Sequence, residues 1–261
     1  MKSCGEVNAM LAAERRRIIT ERIKATGQVV VSSLSAEFAV SEETIRRDLE
    51  SLERDGIAVR IYGGAVLAGN DRVAPPYSIR KNTNVEPKVA IAQRLAGLLK
   101  DGDTLMVDES STSAYAVRAI RHLKNITLIT NSVELLREMT GQDTWHIIST
   151  GGSLKPDVLA LVGPHALRTV QSYHVGFAVL SCRGINESLG LADSDDEVVA
   201  VKQAMMAACD SCILLADHRK FDRSGLVSLG RLRDVDKLIT DCAPDAEWQK
   251  KLASAGVEVV L

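Results

Sequence analysis

The sequence has no surplus of positive charge: 32 Lys and Arg stand against 34 Asp and Glu among 261 residues, a formal net charge of −2. Attraction to nucleic acid through overall basicity is thereby excluded, so any such role rests on where the arginines sit. Residues 1–66 taken alone hold as many acidic as basic side chains. No run approaches the roughly 18 apolar residues of a membrane span, and the opening MKSCGEVNAM lacks the apolar core of a signal peptide. The expectation is a cytoplasmic protein with no membrane partner. Five cysteines, an odd number, provide no disulfide framework. Cys209 and Cys212 form a C-x-x-C without a second pair, and read as small buried residues. No His pair at metal spacing, P-loop, dinucleotide fingerprint or nucleophile elbow occurs, so no metal, cofactor or catalytic residue is implied.

What is present suits two domains, given domains of roughly 100 to 200 residues. In LAAERRRIITERIKA, Leu11, Ile18, Ile19 and Ile23 share one helical face. After TGQVVVS, Ser32 or Ser33 is expected to cap a short helix carrying Leu34 and Phe38. Ser41 then caps a third helix, in which Ile45, Leu49 and Leu52 make a buried stripe and Gly56 supplies the stop. Arg47 and Arg54 fall opposite that stripe, with Thr44, Arg46 and Ser51 on its flanks. Alternating Ile57, Val59 and Ile61 predict a strand reversing at Gly63-Gly64. Three helices and a hairpin wing make a winged helix-turn-helix over residues 1–67, with the third helix as the DNA reader.

The turn-rich stretch beginning LAGNDRVAPPYS reads as a linker, 68–87. From residue 88 to 261, helical patterns alternate with seven short apolar runs, TLMV, ITLIT, WHIIS, FAVLS, CILLA, KLIT and VEVVL. That order predicts a mostly parallel α/β domain with helices on both faces of its sheet.

Ligands of such sheets lie beyond the carboxyl ends of strands, where loops enter helices. Asp108 with Ser110, Ser111 and Thr112, Asn131, and Gly151-Gly152 occupy such loops. Hydroxyls and free amides at a helix start suit a phosphate, although the same serines serve equally as caps. Lys202 and Lys220 are placed to add charge at that rim. The carboxylates Asp193, Asp195, Asp196 and Glu197 open a helix, where the dipole favours them.

The run from Val40 through Ser41, Thr44, Ile45, Arg46, Arg47, Asp48, Leu49, Leu52, Glu53 and Gly56 to Arg60, Gly63, Gly64 and Ala65 resembles the N-terminal domain of the DeoR family of bacterial transcriptional regulators. The resemblance continues through TNS at 130–132, TGG at 150–152, LVG at 161–163, Lys202 to Met205, LLAD at 214–217, Lys220-Phe221 and ITD at 239–241. It implies a sensor domain similar to ribose-phosphate isomerases and amino-sugar phosphate deaminases. One departure is plain: the family has Asp-x-Gly-Ser/Thr-Thr at its phosphate loop, whereas Ser110 stands here at the glycine position beside Glu109.

The resemblance implies a repressor of a carbohydrate operon, modulated by a phosphorylated sugar or related metabolite and binding double-stranded operator DNA as a homo-oligomer, a dimer or tetramer. Ser41, Thr44, Arg46, Arg47, Ser51, Arg54, Arg60, Tyr62, Gly63 and Gly64 would meet DNA. The alternative is a sugar-phosphate isomerase or deaminase with an accessory DNA-binding domain, using Asp108 or the 193–197 cluster as base and Lys202 as electrostatic stabiliser.

Overall fold

Helix α1 (Ala12–Thr26) buries Ile19 and Ile23 and ends at Gly27, whose φ of 78° lets its amide reach Ile23 O at 2.8 Å. Leu11, expected on the same face, precedes the helix and is 77% exposed. The computed structural model describes residues 11–55, 57–61, 63–67 and 75–261. The expected roles of Gly56 and Tyr62 therefore lie outside the described residues.

Strand β1 (Gln28–Val30) runs directly into α2 (Val31–Phe38). Neither Ser32 nor Ser33 caps that helix; both lie exposed in its first turn. Tertiary structure does part of that work, since the Val31 amide donates to Gly63 O at 2.7 Å. Ser41 does cap α3 (Glu42–Arg54), accepting from Thr44 N at 3.2 Å. Ile45, Leu49 and Leu52 form the expected stripe, and Asp48 is buried with them, paired with Arg15 of α1 at 2.5 Å. The wing is β2 (Ala58–Ile61) and β3 (Gly64–Leu67); Ala58 faces inward while Val59 is 47% exposed. The strand β1 completes a sheet of order β1-β3-β2. Gly64 is required there, because an added Cβ would lie 2.1 Å from Val29 O.

The chain divides into two units, 1–70 and 71–261. Residues from Pro75 onward, expected as linker, are folded within the second: α4 (Tyr77–Arg80) buries Tyr77 and Ile79. There follow α5 (Val85–Ala96), β4 (Thr104–Val107), α6 (Ser111–Ala119), β5 (Thr127–Thr130), α7 (Val133–Glu138) and β6 (His146–Ser149). A hairpin, β7 (Ser153–Lys155) and β8 (Ala160–Val162), leads to α8 (Pro164–Gln171) and β9 (Val175–Ser181). Then come β10 (Gly184–Asn186), β11 (Gly190–Asp193), α9 (Asp196–Ala207), β12 (Cys209–Leu215), β13 (Val227–Gly230), β14 (Lys237–Ile239), α10 (Ala246–Ser254) and β15 (Glu258–Val260).

The seven apolar runs are the seven strands of one parallel sheet, ordered β15-β14-β12-β9-β4-β5-β6. Alternate residues serve opposite faces. Leu105 and Val107 pack with α5 and α6, whereas Met106 packs with the layer formed by α8, α9 and α10. Two buried faces explain the apolar runs of the inner strands β14, β12, β9, β4 and β5. The smaller sheet β10-β11-β13 and the β7-β8 hairpin are antiparallel. From β4 the chain builds outward to β5 and β6, then returns to β9 on the other side and proceeds to β15. The carboxyl ends of β4 and β9 thus form the topological switch point, where open parallel sheets place their ligands.

Candidate functional site

In the first unit the exposed face of α3 carries Arg46, Arg47 and Arg54, with Thr44 and Ser51 half-buried beside them. Each arginine has a neighbour. Arg46 pairs with Glu42 at 2.6 Å and Arg47 with Glu43 at 3.4 Å, while Arg54 donates to Ser51 Oγ at 3.1 Å. Arg60 is more firmly held: its guanidinium reaches Glu50 at 2.6 Å and Glu53 at 2.8 Å, and its amide donates to Glu53 Oε1 at 3.0 Å. It therefore fastens the wing to α3. Gly63 turns the hairpin with φ of 80°, and Gly64 is fixed by the approach of Val29 described above.

In the second unit the switch point collects a buried charge network. Asp108, fully buried, accepts from Ser110 N at 3.1 Å and Ser181 N at 2.9 Å. Lys202, 2% exposed, reaches Asp193 at 2.7 Å, Asp108 and Glu109 at 3.1 Å each, and Ser181 O at 2.9 Å. It is not a rim lysine as its place in the sequence implies, because α9 folds it inward onto three carboxylates. Burial pushes Asp108 up, but Lys202 and hydrogen bonds from Ser113, Ser181 and Ser110 outweigh it, leaving the carboxyl below its ordinary value. Burial likewise raises Glu109; Lys202 opposes the rise and Asp108 and Asp193 reinforce it, so the net shift is upward. Burial disfavours the Lys202 ammonium, yet Asp193, Glu109 and Asp108 together hold its pKa well above the usual lysine value. Lys202 and these hydrogen bonds thus favour the ionised form of Asp108.

The acidic cluster at 193–197 divides. Asp193 turns in to Lys202, Asp195 caps α9 and pairs with Lys155, Glu197 also meets Lys155 at 2.9 Å, and Asp196 is exposed. Ser110 caps α6, accepting from Ser113 N at 3.0 Å. With φ of −70° and ψ of 148°, serine fits without strain where the family's glycine stands. Ser111 and Thr112 are buried in the first turn, where helix geometry leaves their amides without intrahelical acceptors. Asn131 donates to Glu109 at 3.2 Å, while its Oδ1 is buried and accepts nothing among the described residues. Gly151 and Gly152 have φ of 63° and 111°, and a Cβ on Gly152 would meet Val162 O at 2.4 Å. Packing against β8 is the demand on Gly152.

Lys220 donates to Ser181 Oγ, which donates to Leu215 O at 2.6 Å. Ser181 is the node of the network and was not singled out by its sequence; the polar end of the apolar run FAVLS is its only signal. Lys88 was also missed. Its ammonium is buried at α5, donating to the carbonyls of Arg80 and Thr83, and burial, with Lys220 and Arg80 adding repulsion, lowers it to about 7. Cys212 is buried and Cys209 half-buried at the start of β12, as small apolar residues.

A three-helix domain with a hairpin wing, joined in one chain to a parallel α/β domain with polar residues gathered at its switch point, defines a two-domain transcriptional regulator. Residues 15–70 match the DeoR-like helix-turn-helix domain, and residues 83–242 match the DeoR C terminal sensor domain. The chain belongs to the DeoR family of DNA-binding transcriptional regulators. It is 37% identical over 250 residues to the uncharacterized HTH-type transcriptional regulator YulB of Bacillus subtilis, covering 96% of each chain. It is 29% identical over 252 residues to the glycerol-3-phosphate regulon repressor of Escherichia coli K12, covering 97% of this chain and 100% of that one. Ribose 5-phosphate isomerase A from Methanocaldococcus jannaschii aligns with a TM-score of 0.40 at 16% identity, over 53% of this chain and 55% of that chain. Among the described residues no helix is long and apolar enough to cross a membrane.

Proposed function

We propose that the protein represses a carbohydrate-catabolism operon, and that a phosphorylated sugar or a related phosphorylated metabolite binds the second unit beyond the carboxyl ends of β4 and β9. The observation that carries this reading is the convergence at the switch point of Ser181, Lys220 and the first turn of α6. The phosphate is held by the Ser111 and Thr112 amides with Lys220, since the hydroxyl of Ser110 is spent on capping. A hydroxyl of the sugar satisfies the buried Asn131 Oδ1. Lys202 acts as internal counter-ion to Asp108, Glu109 and Asp193. The name of the Escherichia coli relative, a glycerol-3-phosphate regulon repressor, is in keeping with a phosphorylated effector.

In the first unit, α3 enters the major groove with Arg46, Arg47 and Arg54 facing DNA, and phosphates displace Glu42 and Glu43 from their arginines. One such helix reads a few base pairs, so a homodimer or tetramer presents paired readers to a symmetric operator. The effector binds the DNA-competent and DNA-free arrangements with different affinity and so shifts their populations. A thermal-shift screen of phosphosugars, followed by operator anisotropy with each hit, tests the reading. At least one compound is expected to raise the midpoint and to change operator affinity. If none does both, the effector reading fails; steady turnover of a phosphosugar would establish the isomerase alternative instead.

A further inference from the structure

The parallel strands β12 and β14 are neighbours, with Leu215 opposite Ile239, so the loops leaving their carboxyl ends lie side by side. The first loop is the short 3-10 turn His218–Lys220; the second runs through Thr240, Asp241 and Cys242. Asp241 joins them. Its Oδ1 accepts from His218 N at 2.8 Å, and its Oδ2 lies 2.6 Å from His218 Nδ1. Arg94 of α5 donates to the Asp241 carbonyl at 3.1 Å, which steadies the second loop. Ligand atoms of His218, Asp241 and Cys242 all lie within 4.8 Å of one another.

We propose that His218, Asp241 and Cys242 form a binding site for a divalent transition metal of the zinc type, its fourth position open to water or a small ligand. A nitrogen, a carboxylate oxygen and a sulfur make a borderline-soft donor set, which suits zinc or cobalt and not magnesium or calcium, whose ligands are oxygens. Around one tetrahedral ion these donors stand roughly 3.3 to 3.8 Å apart, as bond lengths of about 2.0 to 2.3 Å require. Rotation of the exposed His218 and Cys242 side chains sets these spacings, opening the 2.6 Å His218–Asp241 pair and drawing in the separations of up to 4.8 Å, while Asp241, with its side chain 11% exposed, stays anchored by the His218 amide. On binding, the thiol proton of Cys242 and the Nδ1 proton that His218 donates to Asp241 leave to solvent, the neutral ring keeping its proton at Nε2, and the thiolate and Nδ1 join the metal. The site also bears on the switch point, because His218 opens the turn that ends in Lys220, whose ammonium reaches Ser181.

The test is a titration of full-length, reduced protein with cobalt(II), read by the near-ultraviolet thiolate-to-cobalt charge-transfer band. The band should saturate at one equivalent, persist in Cys209→Ser, vanish in Cys242→Ser, and need at least about tenfold more cobalt in His218→Ala. Cys242 is exposed, so an unchanged metal-free thermal midpoint certifies the fold of its serine variant. Zinc should raise that midpoint in the parent and not in Cys242→Ser. Absence of the band, or its survival in Cys242→Ser, overturns the proposal.

Discussion

Replacing Lys202 by methionine should be the most damaging single change in the second unit. Its ammonium lies within 3.1 Å of Asp108, Glu109 and Asp193 and is 2% exposed, so methionine leaves three carboxyl groups without their common cation. Removing one partner of a buried ion pair costs about 3 to 5 kcal/mol, because the remaining charge is neither solvated nor neutralised. For a unit of this size each kcal/mol lowers the midpoint by roughly 2 to 4 °C, giving about 6 to 20 °C in all. For Asp108 and Lys202 the pH dependence has a definite sign. Asp108 is depressed in the folded state, so its contribution is present above the unfolded value and lost as pH falls through the folded one. Lys202 is raised, so its contribution is complete below the unfolded lysine value and is lost only as pH rises through its elevated one. Both are intact at neutral pH. In the variant the carboxyl groups take up protons more readily, so the deficit should narrow as pH falls below about 5. Thermal unfolding by calorimetry at several pH values measures this, and the Lys202→Met, Asp193→Asn double variant should recover part of the loss. A deficit under about 3 °C at neutral pH, or one that widens on acidification, would refute the network as described.

On DNA, Arg47→Ala should either lower the salt slope of operator binding by about one, as a lost phosphate contact does, or cost roughly 1 to 3 kcal/mol if the arginine reads a base. Glu43→Gln, which frees Arg47 from its 3.4 Å partner, should instead tighten binding in an anisotropy titration; weaker binding would mean that the pair orients the arginine. Gly64→Ala forces a Cβ to 2.1 Å from Val29 O and should cost at least about 1 to 3 kcal/mol, with operator binding lost alongside. At Gly63, where nothing lies within 4 Å, alanine meets only the backbone strain of φ +80°, about 1 to 2 kcal/mol, and denaturant titration should rank the two in that order. Lys88, lowered to about 7, is short of a proton in the folded chain between that value and the unfolded lysine value. Stability should therefore rise with pH across that window by up to about 1.4 kcal/mol per unit, and Lys88→Met should flatten the slope in urea midpoints taken from about pH 7 to 10.

Much of the architecture is local and so was written in the chain. The stripe Ile45, Leu49 and Leu52 with Ser41 before it defines α3, because periodicity and a cap are properties of consecutive residues. The seven runs became the seven parallel strands because extended patterning is also local: the inner strands are apolar where both faces are buried, while the edge strands β6 and β15 carry exposed His146 and Glu258. The DeoR resemblance was equally legible, resting on contiguous motifs.

Tertiary structure alone decided what the polar residues do. Ser32 and Ser33 have cap chemistry, yet α2 starts before them and its Val31 amide meets the Gly63 carbonyl from the wing. The stretch from Pro75 reads as linker by its prolines, yet Tyr77 and Ile79 fold into the second unit. Lys202 reads as a surface lysine, and Ser181 as the end of a strand. Only the return of the chain from β6 to β9 beside β4 brings Asp108, Ser181, Asp193 and Lys202 together across more than 90 positions of sequence, taking 108 to 202. A charge network of that kind has no local period to betray it, since its energy depends on distance and burial, and both are set by the crossing of the strands.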